Sequence, residues 1–241
     1  MKVVALPTPE AAATLASAAA DVALLPGRAA FLPAARTLVV ADIHLGKAAT
    51  FRRKGIPVPE GSAQADLARL ERLAATTAAR RVLVLGDLFH ARGGCTPTVF
   101  AEFAATRARL AAEVVLVLGN HDRSAGPLPA DLGIDACLPE LAEPPFHFVH
   151  EPRVSREAGR DPFVMAGHLH PTLSLRAPSG TRLADRCFVA DATLLVLPAF
   201  GSFTGGHRVE WTADRRLWVA RDDGVADVTR LAALAARAGR R

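Results

Sequence analysis

The first half of the chain alternates short apolar runs with longer amphipathic stretches. Leu38-Val39-Val40-Ala41, Arg81–Leu85 and Glu113–Leu118 are compact apolar runs that stop at polar or glycine positions, as strands buried on both faces do. Between them, Ser62–Ala79 sets Ala65, Leu67, Ala68, Leu70 and Leu73 at helical spacing, with Ser62 as N-cap. Thr96–Ala112 repeats the pattern, with Thr96 as cap and Pro97 at the first helical position. A small N-terminal hairpin over 21–33, turning at Pro26-Gly27, leads into the first run. Residues 46–55 predict a short helix closed by Gly55, and Ile56–Gly61 a loop. Strand, helix, strand, helix, strand implies a mostly parallel sheet covered by helices.

The second half changes rhythm. Phe146–Val149, Pro162–Ala166, Leu173–Ala177, Arg186–Ala190, Leu194–Leu197 and Leu217–Ala220 are short strand candidates divided by turn residues. They predict a second sheet with antiparallel pairs, stacked on the first. Thr229–Arg241 reads as a short basic helix or tail without a function. The alternation over 241 residues predicts a single domain spanning 1–241.

Composition adds little. Half the residues are hydrophobic, enough for a sizeable core, and the formal charge of +5 modestly favours a polyanionic partner. The 3 cysteines, Cys95, Cys137 and Cys187, form no CxxC pair, which argues against a disulfide framework and fits a reducing cytoplasm. The apolar start resembles a signal peptide, but Pro7, Pro9 and Glu10 interrupt it and only Lys2 precedes it, so a cytoplasmic location is expected. No run approaches the roughly 20 apolar residues of a membrane span.

Chemistry gathers where the apolar runs end. Asp42-Ile43-His44, Gly86-Asp87, Gly119-Asn120-His121-Asp122, His150 and Gly167-His168-Leu169-His170 each follow a predicted strand, and they hold five of the 8 histidines. Loops at the carboxyl ends of strands in an α/β sheet gather on one edge, where ligands bind. In extended chain, residues i and i+2 point the same way, so Asp42 with His44, and His168 with His170, are expected to converge in pairs. His150 is preferred over His147, which falls inside its strand on the other parity from Phe146 and Phe148. Carboxylate, imidazole and amide-oxygen donors suit first-row divalent metals better than calcium. There are enough donors for two ions sharing one carboxylate, roughly 3.5–4 Å apart, with a bridging hydroxide.

The set D-x-H, GD, GNHD, a lone His and GHxH, in this order over about Leu38–Pro171, resembles the calcineurin-like metallophosphoesterases. The resemblance implies a two-sheet β-sandwich flanked by helices in αββα layers, and two divalent ions, manganese first, with iron, zinc or nickel as alternatives. Asp42, His44 and His170 would bind one ion, Asn120, His150 and His168 the other, and Asp87 would bridge them. His121 would be the general acid or phosphate-binding imidazole, oriented by Asp122. Phosphoprotein phosphatases of this superfamily read GDxxD, whereas His90 stands here for the second acid.

GDLFH with DIHLG is similar instead to nuclease subunits of double-strand-break repair complexes. DIHLGKAATFRRKGIPVPEG, LGDLFHAR, GHLHP and PAFGSFTGG resemble the bacterial ligase-associated DNA damage response endonucleases. That likeness implies DNA cleavage in repair, beside a ligase, a helicase and an exonuclease. Lys47, Arg52, Arg53 and His90 are then candidate substrate contacts, the first three by neutralising phosphates. Phe51 reads as a core contact before a base-stacking one, and Gly201, Gly205 and Gly206 as turns. A small-molecule or cyclic-nucleotide phosphodiesterase is the enzymatic alternative. A non-catalytic scaffold is the other, although no ligand position of the motifs is missing.

Overall fold

A computed structural model describes residues 13–16, 21–58, 61–153, 162–176 and 182–238. The signal-like start over 1–12, Ala177 and the last residues of the basic tail lie outside these.

The apolar runs become the first of two sheets. Its strands are β1 (Ala13–Ala16), β2 (Asp21–Leu25), β3 (Ala29–Leu32), β4 (Thr37–Val40), β5 (Arg81–Leu85), β6 (Glu113–Val117) and β7 (Ala136–Leu138), adjacent in that order. β1 to β4 pair antiparallel and β4 to β7 parallel, so half the sheet departs from the parallel expectation. The predicted hairpin supplies β2 and β3 of that antiparallel half, and β1 extends it.

Helices α1 (Lys47–Arg53), α2 (Ser62–Thr76), α3 (Pro97–Arg109) and α4 (Asn120–Ala125) fall between these strands. Thr96 caps α3 as its side chain predicts, accepting from Val99 N at 3.3 Å. Ser62 does not cap α2. Gly61, at φ 86°, holds that position, and Ser62 is already helical. The helix also stops short of Ala79, because Ala78 turns left-handed at φ 49° and the Thr77 hydroxyl bonds the Leu73 carbonyl at 2.7 Å.

The second sheet holds β8 (Leu141–Glu143), β9 (Phe146–Phe148), β10 (Phe163–Ala166), β11 (Pro171–Arg176), β12 (Arg182–Ala190), β13 (Leu194–Val196), β14 (His207–Arg208), β15 (Arg216–Ala220) and β16 (Val225–Asp227). It is mostly antiparallel as expected; β11 and β14 run parallel, and, in the exception that matters for the motif edge, β10 runs parallel to both β9 and β13. That exception sends the ends of β9 and β10, with His150 and His168 beyond them, to the same edge. The strands missed in sequence, β1, β7, β8, β14 and β16, are two to four residues long. Too few positions remain there for a period to register.

The layers follow from strand alternation. Val39, Leu83, Leu85, Val115 and Val117 of the first sheet pack between the sheets against Phe148, Met165, Phe188 and Trp218 of the second. Leu38, Val40, Val82, Val84 and Leu116 face the opposite way, onto Leu67 and Leu70 of α2 and Phe103 of α3. On the far side, helix α5 (Thr229–Ala238) lays Ala232 and Ala235 over Leu173, Leu175, Val189 and Val219. The arrangement is the αββα sandwich expected. No helix among the described residues is long and apolar enough to cross a membrane. Cys95, Cys137 and Cys187 are all free thiols.

Away from the motif edge, Arg81 of β5 reaches across to Glu143 of β8 with two hydrogen bonds of 2.7 and 2.6 Å. The guanidinium holds the Glu143 carboxyl below its ordinary 4.5. A folded-state pKa that is depressed contributes stability above the unfolded value and loses it as pH falls through the folded one. Glu143→Gln should therefore cost up to about 1 kcal/mol in urea unfolding at pH 7, a partly exposed pair being screened. The difference should shrink as pH falls below the ordinary 4.5 and vanish at pH low enough to protonate Glu143 in the folded state. An unchanged gap there would show that the ion pair does not tie the sheets.

Candidate metal centre

Beyond the ends of β4 and β5 the two chains keep pairing. Asp42 N bonds Gly86 O at 3.0 Å, His44 N bonds Asp87 O at 2.8 Å, Leu45 N bonds Leu88 O at 2.8 Å, and His90 N bonds Leu45 O at 2.9 Å. Leu45, Leu88 and Phe89 are buried and anchor this ribbon from below. The expected convergence occurs, but not through extended chain. Asp42, His44, Asp87, His168 and His170 all take left-handed backbone, with φ of 56°, 54°, 52°, 67° and 45°. Left-handed backbone costs L-residues about 1–2 kcal/mol each, and such strain concentrates at functional sites.

Two groups of donor atoms result. In one, His44 Nε2 lies 3.2 Å from His170 Nε2, which lies 3.2 Å from Asp42 Oδ1. In the other, His150 Nε2 lies 2.9 Å from Asn120 Oδ1 and 3.1 Å from His168 Nδ1. Asp87 stands between them, Oδ2 3.7 Å from His44 Nε2 and Oδ1 3.5 Å from His150 Nε2.

Backbone carbonyls fix the ring tautomers. His150 Nδ1 donates to Leu85 O at 3.0 Å and His170 Nδ1 to Gly205 O at 3.2 Å. Each Nε2 is left as a lone pair turned inward.

These residues fit divalent cations. A metal about 2.0–2.1 Å from each imidazole nitrogen holds neighbouring nitrogens about 3.0–3.4 Å apart, and the pairs here stand at 3.2 and 3.1 Å. Asp42 Oδ1 is fully buried and accepts no hydrogen bond among the described residues. Asp42 and Asp87 are 0% and 2% exposed. Neither forms an ion pair with Lys or Arg among the described residues, a costly arrangement unless a cation joins them. Burial, with the repulsion of Asp42, pushes the Asp87 carboxyl up against the pull of His150 and of the His121 N–H. Burial first, then the positive fields of His170, Lys47, His121 and His90, lowers His44 to about 2, so it stays neutral with a lone pair to give.

His121 and His90 border the groups. His121 N donates to Asp87 Oδ1 at 2.9 Å, and its Nε2 lies 3.9 Å from Asp87 Oδ2. Its Nδ1 donates to the His90 carbonyl, and the two rings stack at 4.7 Å. His90 Nδ1 lies 3.3 Å from His44 Nδ1. Burial, helped by Lys47, His121 and Lys54, lowers His90 to about 4.

The orienting role expected of Asp122 is corrected, because its carboxylate is engaged elsewhere. It accepts from Phe89 N and Gly119 N, both at 3.0 Å, and so ties the start of α4 to the loop after β5. The His90 carbonyl orients His121 instead.

Lys47 is half-buried, and its ammonium, lowered by burial, feels both Asp87 and Asp42. Arg52 and Arg53 lie exposed along α1, Arg53 against Gly93, with no hydrogen bond or ion pair to the donor groups among the described residues. Phe51 meets Phe203 edge to face at 5.4 Å, but both rings are only half-buried and lie outside the core clusters, so the core contact expected of Phe51 is not what this structure has. His147 pairs with Glu140 at 3.6 Å, outside the cluster.

The family profile of the calcineurin-like phosphoesterases matches residues 35–193. The chain belongs to the calcineurin-like phosphoesterases. Its fold is similar to that of the nuclease MPE of Pseudomonas putida, with 37% identity over 90% of this chain and 99% of that one at a TM-score of 0.73. The phosphoesterase Yfce of E. coli is 16% identical over 78% of this chain and 95% of that one, at a TM-score of 0.40. No curated protein matches the chain in sequence. Family and neighbour together make this protein a metal-dependent hydrolase of phosphate esters.

Sequence reasoning missed the support that this phosphoesterase gives the centre from the segment after β13. Phe200 N and Gly201 N bond the Ala41 and Asp42 carbonyls at 2.8 and 3.1 Å. Gly201 is more than a turn residue, since a Cβ there would stand 2.1 Å from the Ile43 carbonyl oxygen. The PAFGSFTGG stretch was the available signal, but glycines in sequence do not say what they approach.

Gly119 of GNHD is under the same constraint: a Cβ would stand 2.1 Å from Asp87 Oδ1 and 2.4 Å from Asp87 N. Gly119→Ala should displace Asp87 and lower divalent-metal affinity roughly 10–100-fold, read as metal content after dialysis. Metal content equal to the parent's would show that the close approach leaves the centre unaffected.

Proposed function

We propose that this protein is a dinuclear-metal phosphodiesterase that cleaves DNA internally. The observation that carries the reading is Asp87, whose two oxygens face the two donor groups separately, one near His44 and one near His150. Asp42, His44 and His170 would hold one ion, Asn120, His150 and His168 the other, with Asp87 shared. Such ions, when bound, supply Lewis acidity toward a phosphoryl group and lower the pKa of a coordinated water. Manganese is the expected metal, on the sequence resemblance and on the mixed carboxylate, amide and imidazole donors.

The chain's own groups do the rest. His121 is about one-third exposed (34%) at the edge of the centre. With Nδ1–H held by the His90 carbonyl, its Nε2 carries a proton only as imidazolium. In that form it donates to the leaving alkoxide or steadies a phosphoryl oxygen. Lys47 places a cation beside the carboxylates, and Arg52, Arg53 and Lys54 extend positive charge outward along α1 to neutralise flanking phosphates. His90, stacked on His121, would meet the same phosphate. The nuclease activity named for the Pseudomonas putida neighbour supports a nucleic-acid substrate. A repair setting beside a ligase, a helicase and an exonuclease, and a cytoplasmic location, rest on the sequence reading.

Circular single-stranded DNA tests this, since only an endonuclease can begin on it. The protein should linearise the circle with Mn2+ and stop when the metal is chelated, and His121→Ala should slow cleavage roughly 10²–10⁴-fold. Hydrolysis of bis-p-nitrophenyl phosphate with the circle left intact would select the small-molecule diesterase instead. Undiminished cleavage by His121→Ala would remove the imidazole from the mechanism.

A further inference from the structure

Among the described residues, the hydrogen bonds from the 200–205 segment to the centre go to one half of it. Gly201 N bonds the Asp42 carbonyl at 3.1 Å, and the Gly205 carbonyl accepts from His170 Nδ1 at 3.2 Å. Both residues belong to the group completed by His44. Of the other half, His150 Nδ1 donates to Leu85 O at 3.0 Å and His168 N donates to Asp42 Oδ2 at 2.9 Å.

Three side chains hold this segment: Asp66 and Arg69 of α2, the latter donating to the Phe200 carbonyl, and Arg186 of β12. On the α2 side, Asp66 accepts from Ser202 N at 2.7 Å while paired with Arg69 at 2.8 Å. On the β12 side, a single guanidinium nitrogen of Arg186 donates to Ser202 O at 2.8 Å, Thr204 O at 3.1 Å and Thr204 Oγ1 at 3.0 Å. Thr204 Oγ1 in turn donates to Gly201 O at 2.9 Å. Arg186 sits opposite Thr172 on β11, the strand that begins directly after His170.

We infer that Arg186 is a positioning residue for the Asp42, His44 and His170 half of the centre, acting through the 201–205 carbonyls on the tautomer and direction of His170. The inference rests on the dinuclear reading above. Without Arg186, the Gly205 carbonyl loses its fixed place and His170 Nε2 no longer points inward. Carbonyl and carboxylate partners of ligating imidazoles are worth roughly 10–100-fold in metal affinity.

The test is a titration of the full-length protein with Mn2+ alone, following free ion by electron paramagnetic resonance, for the parent and for Arg186→Met. The parent should take up two equivalents. In Arg186→Met one equivalent should weaken roughly 10–100-fold while the other keeps its affinity, and DNA cleavage should recover as Mn2+ is raised. Equal weakening of both equivalents would mark a general loss of structure, and no weakening would mark an idle contact; either overturns the inference. A parent that binds fewer than two equivalents overturns the dinuclear reading first, and the inference with it. Should Arg186→Met not fold, as judged by its thermal transition, Thr204→Val decides by the same criteria. It removes the hydroxyl that links Arg186 to Gly201 O.

Discussion

Two carboxylates, Asp42 and Asp87, are withdrawn from water at the edge of a β-sandwich without a lysine or arginine ion pair among the described residues. Burying an ionised carboxylate costs far more than one hydrogen bond returns, and an imidazole neutralised by its own burial, as His44 is, offers no positive charge. The neighbouring nitrogens turn lone pairs inward because backbone carbonyls hold their protons outward. Every local choice therefore leaves the same deficit, which divalent cations fill.

The sandwich makes that arrangement possible through strand direction. β4, β5 and β6 run parallel, and β9 and β10 run parallel in the facing sheet, so the loops that follow them share one edge. The inter-sheet core of Leu83, Leu85, Phe148, Met165 and Phe188 sets the separation of those ends. The paired ribbon beyond β4 and β5 then fixes Asp42, His44 and Asp87 by backbone hydrogen bonds, which side-chain substitutions do not easily move. Left-handed backbone at five of the donor residues is tolerated because this ribbon and the 200–205 segment leave few alternatives.

The centre also shows how one glycine-rich family motif serves geometry before chemistry. Gly86 in Gly86-Asp87 has φ +77° and lies so close to the His150 ring that a Cβ would stand 2.1 Å from Nδ1. Asp122 closes GNHD for a related reason: it holds the start of α4 against Phe89, so that the His121 backbone N–H meets Asp87. The ring of His121 is aimed by a carbonyl contributed from His90, whose own side chain stacks on it.

Much of this was legible in the sequence. Apolar runs and helical spacing determined the core strands and the two long helices, because burial on both faces of a strand, or on one face of a helix, imposes a period on the residues themselves. The motifs named Asp42, His44, Asp87, Asn120, His150, His168 and His170, since donor types placed after strand ends need no partner to be recognised. The tertiary structure alone decided what each donor leans on. Leu85 O, His90 O and Gly205 O carry no side-chain signature, the short edge strands are too brief for a period, and Arg186 meets the loop 16 to 18 residues further on only once β12 is in place. Contacts made by backbone atoms, or across long separations in the chain, depend on where folding carries the segments, and residue type does not record that.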